Sequence, residues 1–413
     1  MRIAIIGAGV IGLNTALALI SRGAEVTVFD REGVAAGASR GNAGIFADYA
    51  VLPESSPDML RQVPRMLLQP DGPLSLRWRY LPRIAPWLLR FLAAGRPARV
   101  KHITLAMAAL MDHVRGDWDQ VLAEIGAEDL RVTRGALLAY TSRRAFEADR
   151  AAWQAKAEHG ACDVEPVMGQ TLHDMEPALN RDLLHYAIHL PNLSHCLNPH
   201  GLVERLAQAV RDRGGELRHH EVTGLHPTEA GVRLHLPDGA AVDFDRAVVC
   251  AGAHSAALTR SLGLKIPLET ERGYNVTLPA PGVALSRPVS IPEKGYYMTP
   301  MSVGLRIGGG VELAGLKAPP RWSRVEVMAR HAETVLPGLN RAGEARWMGF
   351  RPAMPDTLPV IGPVPGAERV LLAFGHGHLG LTMGATTGRM IAGHVYGSNH
   401  RIDPIPYLPT RFT

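Results

Sequence analysis

Residues 1–30, MRIAIIGAGVIGLNTALALISRGAEVTVFD, contain a strand, a glycine turn, a helix and a second strand in unbroken order. The apolar run at 3–6 stops at Gly7-Ala8-Gly9-Val10-Ile11-Gly12, and Gly23 stands where the following helix would end. The next apolar run, 26–29, finishes on Asp30. In such a unit Gly7 permits the tight turn, Gly9 lets backbone approach a pyrophosphate, and Gly12 lets helix pack on strand. The helix then turns its unpaired N–H groups and positive end toward the phosphates. Asp30 occupies the position that accepts hydrogen bonds from a ribose diol, and its charge disfavours a 2′-phosphate, although Arg31 beside it weakens that point. An adenine dinucleotide follows from this order of parts; NAD and FAD both remain open.

A length of 413 residues exceeds one compact core and predicts two domains. The three cysteines, Cys162, Cys196 and Cys250, fit neither a disulfide framework nor a metal site, and suit a reducing compartment. No apolar run is long enough to span a bilayer, and the first strand starts at residue 2. A cytoplasmic protein is expected. The net charge of +5 owes much to RWRYLPRIAPWLLRFLAAGRPARVK, residues 77–101. With prolines breaking it, this segment is read as an arginine-bearing helical pair with its apolar side in a core. A peripheral contact with the inner membrane face is the alternative. Nothing in the chain accompanies these charges with a nucleic-acid-binding motif.

Residues 34–48 form a small-residue loop, and 55–130 read mostly as helices interrupted by prolines. Asn198-Pro199 opens a helix that Gly214-Gly215 closes. After it come ELRHHEV, a hairpin about Pro237-Asp238-Gly239, and the apolar strand AVVCAGA. The nucleotide domain therefore resumes after a long insertion. The runs YNVTL, YYMTP and LRIGGG predict an antiparallel sheet, and residues 366–397 read as strand, glycine turn and helix.

Four segments in this order, the N-terminal unit, VVCAGA, GFRPAMPDTLPVIG and GHGHLGLT, resemble the D-amino-acid oxidase-like family of flavoproteins. The likeness is greatest to bacterial D-amino-acid dehydrogenases of the small-subunit type and to glycine oxidases. The resemblance implies an α/β fold: a discontinuous Rossmann-like FAD-binding domain with an inserted α+β substrate domain that contains an antiparallel sheet. The FAD-binding domain is expected at 1–50, 145–175, 197–264 and 346–413. The substrate domain is expected at 51–144, 176–196 and 265–345.

The same resemblance implies noncovalent FAD, since no Cys or His matches a covalent attachment point. Gly7, Gly9, Val10, Ile11 and Gly12 would form the pyrophosphate turn, with Asp30 and Arg31 at the adenosine ribose. Ser39, Asn42, Ala43 and Gly44 resemble a second phosphate and flavin contact. Val222 matches the adenine contact, and Ala251-Gly252 the pair under the nucleotide. Gly375, His376, Gly377, Leu379, Gly380, Leu381 and Thr382 are similar to the loop beneath the flavin pyrimidine. A helix starting there would direct its positive end where negative charge develops on reduction.

For the substrate, Arg351 stands where the family carries the arginine that clamps a carboxylate. A guanidinium fork makes two parallel charge-assisted bonds and so fixes the direction of the Cα–H bond. Tyr297 resembles the tyrosine that adds a hydroxyl to the same carboxylate, Tyr274 is a second candidate, and His378 shapes the pocket where relatives carry a small residue. The expected activity is oxidation of a D-amino acid, D-proline or hydroxy-D-proline among them, to the imino acid, with a quinone-type acceptor. The alternatives are a glycine- or sarcosine-type amine oxidase releasing hydrogen peroxide, and a flavin-binding electron-transfer subunit of a larger complex.

Overall fold

A computed structural model of the chain describes residues 1–69, 71–158, 162–398 and 401–412. The opening unit forms as its residues dictate. Strand Arg2–Ile6 runs parallel to Glu25–Asp30, and helix Val10–Ile20 joins them. A Cβ on Gly12 would stand 1.9 Å from the Gly7 carbonyl oxygen, and one on Gly7, at φ 117°, only 2.3 Å from that of Cys250. Any side chain at either position would push helix, turn and neighbouring strand apart.

These strands belong to a six-stranded sheet in the order 216–219, 25–30, 2–6, 246–249, 367–374, 360–364. The first five run parallel and the last is antiparallel to its neighbour. The strands drawn from both halves of the chain thus complete one nucleotide-type sheet, while the hairpin 232–235/241–244 pairs with 224–227 in a separate three-stranded antiparallel sheet. A second sheet of nine strands is mostly antiparallel. Its central run pairs Ala345–Ala353, Glu269–Leu278, Gly304–Leu313 and Tyr296–Met301 in that order. Asn198 caps helix Pro199–Asp212 by accepting from the Gly201 N–H, and the final helix is Gly380–Tyr396.

Three stretches lie elsewhere than expected. Residues 145–175 do not join the nucleotide sheet. Helix Arg143–Glu158 lays Phe146 and Trp153 on strands 136–140 and 186–190, and strand Glu165–Met168 pairs antiparallel with Tyr186–Leu190 in the large sheet; residues 159–161 fall outside those described. A helix followed by a short strand imitates the βα alternation of the other sheet, and only pairing separates the two. Residues 346–353 likewise form an edge of the large sheet. Conversely, helix Pro97–Ile125, expected in the substrate domain, turns Ile103, Met107, Leu110, Val114, Trp118 and Leu122 into the core around the first and last helices. That apolar stripe needs a helical partner, and the glycine- and alanine-rich Gly380–Tyr396 provides one.

Trp118 couples these elements most tightly. Its buried indole N–H donates to the carbonyls of Leu381 (3.0 Å) and Thr382 (2.9 Å), in the first turn of the last helix. Trp118→Ala is expected to cost about 3–5 kcal/mol of stability, and Trp118→Phe, which keeps most of the ring and loses the donor, about 1–2 kcal/mol. Denaturant titration of the two variants checks both the size and the order.

Candidate active site

The carboxyl ends of the parallel strands and one face of the large sheet enclose a cavity of about 1290 Å³. One end is lined by Gly9, Asp30, Arg31, Val222, Ala251 and Gly252. Its middle is lined by Ser39, Asn42, Ala43 and Gly44, and its other end by His376, His378, Arg351 and Tyr297.

At the first end Asp30 fixes the turn as well as facing the cavity. Its carboxylate accepts from the N–H groups of Ala8 (2.8 Å), Glu32 (2.9 Å) and Gly33 (3.0 Å). Two carboxylate oxygens offer about four acceptor sites, so about one remains for a hydroxyl group facing the cavity. Arg31 donates to the His254 ring nitrogen at 2.9 Å and pairs with Glu32. The Ser39 hydroxyl accepts from Val10 N–H (3.0 Å), which sets it over the first turn of the helix. Asn42 clamps its own loop, donating to Ser39 O and accepting from Gly44 N–H.

The last helix brings its N-terminal residues Gly380 and Leu381 to the cavity wall. The turn before it is tied to the arginine-bearing strand, since Gly377 N–H donates to Pro352 O at 2.7 Å. His376 is buried, with Nε2 2.9 Å from the Thr387 hydroxyl, and burial pushes its pKa down to about 3. It is a neutral imidazole that cannot accept a proton at working pH. Ile11 also lines the cavity, whereas Gly12, Gly375, Leu379 and Thr382 stand behind the wall; Thr382 Oγ1 accepts from Ala47 N–H. A long cavity with a helix N-terminus at each phosphate- or ring-facing stretch, a glycine cradle and a diol-facing acid fits an adenine dinucleotide carrying a flavin.

Arg351 reaches the cavity by crossing its own sheet. Its Nη1 donates to Gly310 O (2.9 Å), two strands away, and the guanidinium passes over Gly273. A Cβ on Gly273 would stand 2.5 Å from Nη2, so only glycine leaves the passage open. Burial lowers the Arg351 pKa from its usual value, while Glu271 and Glu54 oppose the shift. Tyr297 points from the same face, and its hydroxyl lies 3.0 Å from that of Tyr49. Burial raises both phenols, so they serve as neutral hydrogen-bonding groups.

Tyr274 contributes to the cavity wall, but its hydroxyl is not offered to the cavity. Its ring packs in the core on the opposite face, and its hydroxyl donates to Glu312 (2.5 Å) and accepts from Arg321 N–H. The strand alternates, so Glu271 and Asn275 line the cavity while the Tyr274 ring packs into the core behind it. His378 does line the cavity, with Nδ1 2.5 Å from Glu54 Oε1. Sequence reasoning passed over Glu54, Glu271, Asn275 and Tyr49. Glu271 and Asn275 carried the usable signal: polar groups two and six residues into a strand that is otherwise mostly buried.

With this geometry in place, comparisons with known proteins agree. A family model described as "FAD dependent oxidoreductase" matches residues 2–393. The chain is 34% identical to a D-amino-acid oxidase of Bradyrhizobium diazoefficiens, over 99% of this chain and 98% of the relative. It is 30% identical to a D-amino acid dehydrogenase of Paramagnetospirillum magneticum, over 96% and 95%. Among solved structures, glycine oxidase from Geobacillus kaustophilus superposes with a TM-score of 0.77 at 22% identity, covering 100% of this chain and 99% of that one.

The neutral His376 has a consequence for stability. Its folded pKa of about 3 lies below the ordinary 6.5, so its contribution is complete above about pH 6.5 and is lost as pH falls toward 3. The loss amounts to about 4–5 kcal/mol across that window. His376→Gln, which keeps a partner for Thr387, is expected to flatten the acid limb of a stability–pH curve between those limits.

Proposed function

The chain belongs to the FAD-dependent oxidoreductase family, and we propose that within it the protein is a dehydrogenase of D-amino acids. The observation that carries this reading is the buried Arg351 guanidinium that lines the same cavity as Asp30. A buried cation that spends one hydrogen bond on a carbonyl keeps donors for an anion, and its fork matches a carboxylate. The names of the relatives supply the rest: they act on D-amino acids.

When bound, FAD supplies the hydride acceptor. The chain's own residues bind and orient. Arg351 holds the substrate carboxylate, and the Tyr297 hydroxyl, relayed to Tyr49, donates a further hydrogen bond to it. Fixing the carboxylate fixes where the Cα–H bond points, which is most of what a hydride transfer asks of a protein. The apolar wall made by Leu60, Val63, Trp87 and Phe91 keeps water from the reacting end. The product is the imino acid, which hydrolyses to a 2-oxo acid, or persists as a cyclic imine when the substrate is D-proline or a hydroxy-D-proline.

Arg351→Met removes two charge-assisted bonds, and kcat/KM is expected to fall by roughly 10²–10⁴-fold. Arg351→Lys, which keeps the charge without the fork, should lie between. Anaerobic bleaching of the flavin with D-alanine, D-proline, cis-4-hydroxy-D-proline, glycine and sarcosine measures this. An Arg351→Met enzyme indistinguishable from wild type defeats the assignment, and glycine or sarcosine outperforming every D-amino acid favours the amine-oxidase alternative.

A quinone at a membrane is the proposed acceptor, and the helices over the cavity support it. Pro57–Leu68 and Leu81–Ala94 line the cavity with Leu60, Val63, Trp87 and Phe91 on one side. On the other they and their connection expose Leu68 (83%), Trp78 (68%) and Leu89 (68%). Arg65, Arg79, Arg83, Arg90, Arg96, Arg99 and Lys101 are exposed around them, and residues 72–101 contain no acid. Apolar tips ringed by arginine suit an anionic bilayer. No helix among the described residues is long and apolar enough to cross one. Sedimentation with phosphatidylglycerol vesicles should carry the protein down, salt should weaken it, and Trp78→Asp with Leu89→Asp should abolish it. Equal partition of wild type and variant would remove the membrane from this account.

A further inference from the structure

Four ionisable side chains meet at the substrate end of the cavity, and carboxylate binding uses only Arg351. Glu271 is its register partner on the adjacent strand and points from the same face. It is 6% exposed. Glu54 comes from the loop before helix Pro57–Leu68, held by its own N–H donating to Thr357 Oγ1 (3.2 Å). The Glu54 and Glu271 carboxyls are hydrogen-bonded to one another, and Glu54 Oε1 also meets His378 Nδ1 at 2.5 Å. The His378 side chain is 45% exposed.

Two carboxyls in contact cannot both ionise freely, so the pair shares one proton. Burial, then the charge of Glu54, pushes Glu271 well above the carboxylate range. Glu54, despite the cost of its burial, is held below that range by His378 and, more weakly, by Glu271 and Arg351. Glu269, the remaining acid facing Glu271, is itself raised by burial and accepts from Tyr80 Oη (2.8 Å) and the Thr270 N–H (2.7 Å). The pair with its one proton therefore carries one negative charge beside the Arg351 cation. That is the charge complement of an amino-acid zwitterion: a cation for the carboxylate, and an anion for the ammonium two bonds from the carboxylate carbon.

We propose that Glu54 and Glu271 together bind the substrate ammonium and accept its proton, and that His378 passes this proton to solvent. The proposal rests on the D-amino-acid reading above. An ammonium has no lone pair to form the C=N bond, so it must be neutralised first. Its N–H bond breaks, the proton forms an O–H bond on the carboxyl pair, and the electron pair stays on nitrogen. The Cα–H bond then breaks with its electrons leaving as hydride to the FAD of the proposed reaction, while the nitrogen lone pair makes the C=N bond. The protonated imine departs. The carboxyl pair loses its extra proton through Glu54 and His378 to water, which restores one shared proton. Buried His376 and the neutral tyrosines Tyr49 and Tyr297 offer no competing acceptor.

The test uses holoenzyme and two probes, propionate, which has a carboxylate but no amine, and D-alanine, each titrated by the perturbation of the flavin spectrum or its anaerobic bleaching. In Glu54→Gln/Glu271→Gln the anion is gone, so propionate should bind about tenfold more tightly and D-alanine about tenfold more weakly. The rate of bleaching should then rise roughly tenfold per pH unit up to the pKa of the free amine, whereas wild type levels off at lower pH. Glu54→Gln alone, at a partly exposed loop position, should show the same signs should the double variant not fold, and Glu54→Asp should restore the wild-type profile. Propionate and D-alanine shifting in the same direction, or an unchanged pH profile, overturns the proposal. If wild type binds no propionate and D-alanine leaves the flavin oxidised, the carboxylate reading fails instead.

Discussion

A buried guanidinium governs the large-sheet half of this molecule. Charge inside a protein is tolerated only with partners, and Arg351 finds them by lying across a sheet rather than at its edge. The crossing requires glycine at 273, whose Cβ would collide with the guanidinium, and a carbonyl at Gly310 to receive it. It also keeps acids nearby, Glu271 in register and Glu54 from the loop opposite. A cation with such neighbours is poised rather than neutralised. Neither acid forms an ion pair with the guanidinium: Glu54 Oε1 meets His378, and the two carboxyls are bonded to one another.

The nucleotide half rests on a different constraint, close approach of backbones. Gly7 and Gly12 leave no space for side chains between the first strand, its helix and the strand ending at Val249. The two halves are joined where Gly377 N–H meets Pro352 O, one residue beyond Arg351. The turn at 375–379 and the strand that carries Arg351 are therefore directly linked. His376, neutral and tied to Thr387, stiffens that turn without titrating at working pH.

Much of this was legible in the chain. The opening strand–turn–helix, the hairpin about Asp238 and the final strand, turn and helix formed as their glycines and apolar periods required. So did the antiparallel runs of the large sheet. What misled was partnership. Helix 143–158 and strand 165–168 have the local character of a βα unit, yet their apolar faces fit the large sheet. Helix 97–125 sits in sequence among substrate-domain elements, while Trp118 and its neighbours pack on the last helix. Tyr274 shows the same limit at one residue: it borders the cavity, yet its ring packs in the core and its hydroxyl is spent on Glu312, while Glu271 and Asn275 also line the wall. Glu54 was illegible for a physical reason, since its partner His378 lies more than three hundred residues away in a loop.

The account stands or falls on a carboxylate held at Arg351 with its Cα–H presented in one sense only. Anaerobic flavin bleaching with the two enantiomers of alanine, at equal concentration and the same pH, reads this directly. D-Alanine should bleach the flavin fully, and L-alanine should leave it oxidised over the same interval. Bleaching by the L-enantiomer at a comparable rate, or by neither while an amine lacking a carboxylate succeeds, would contradict it.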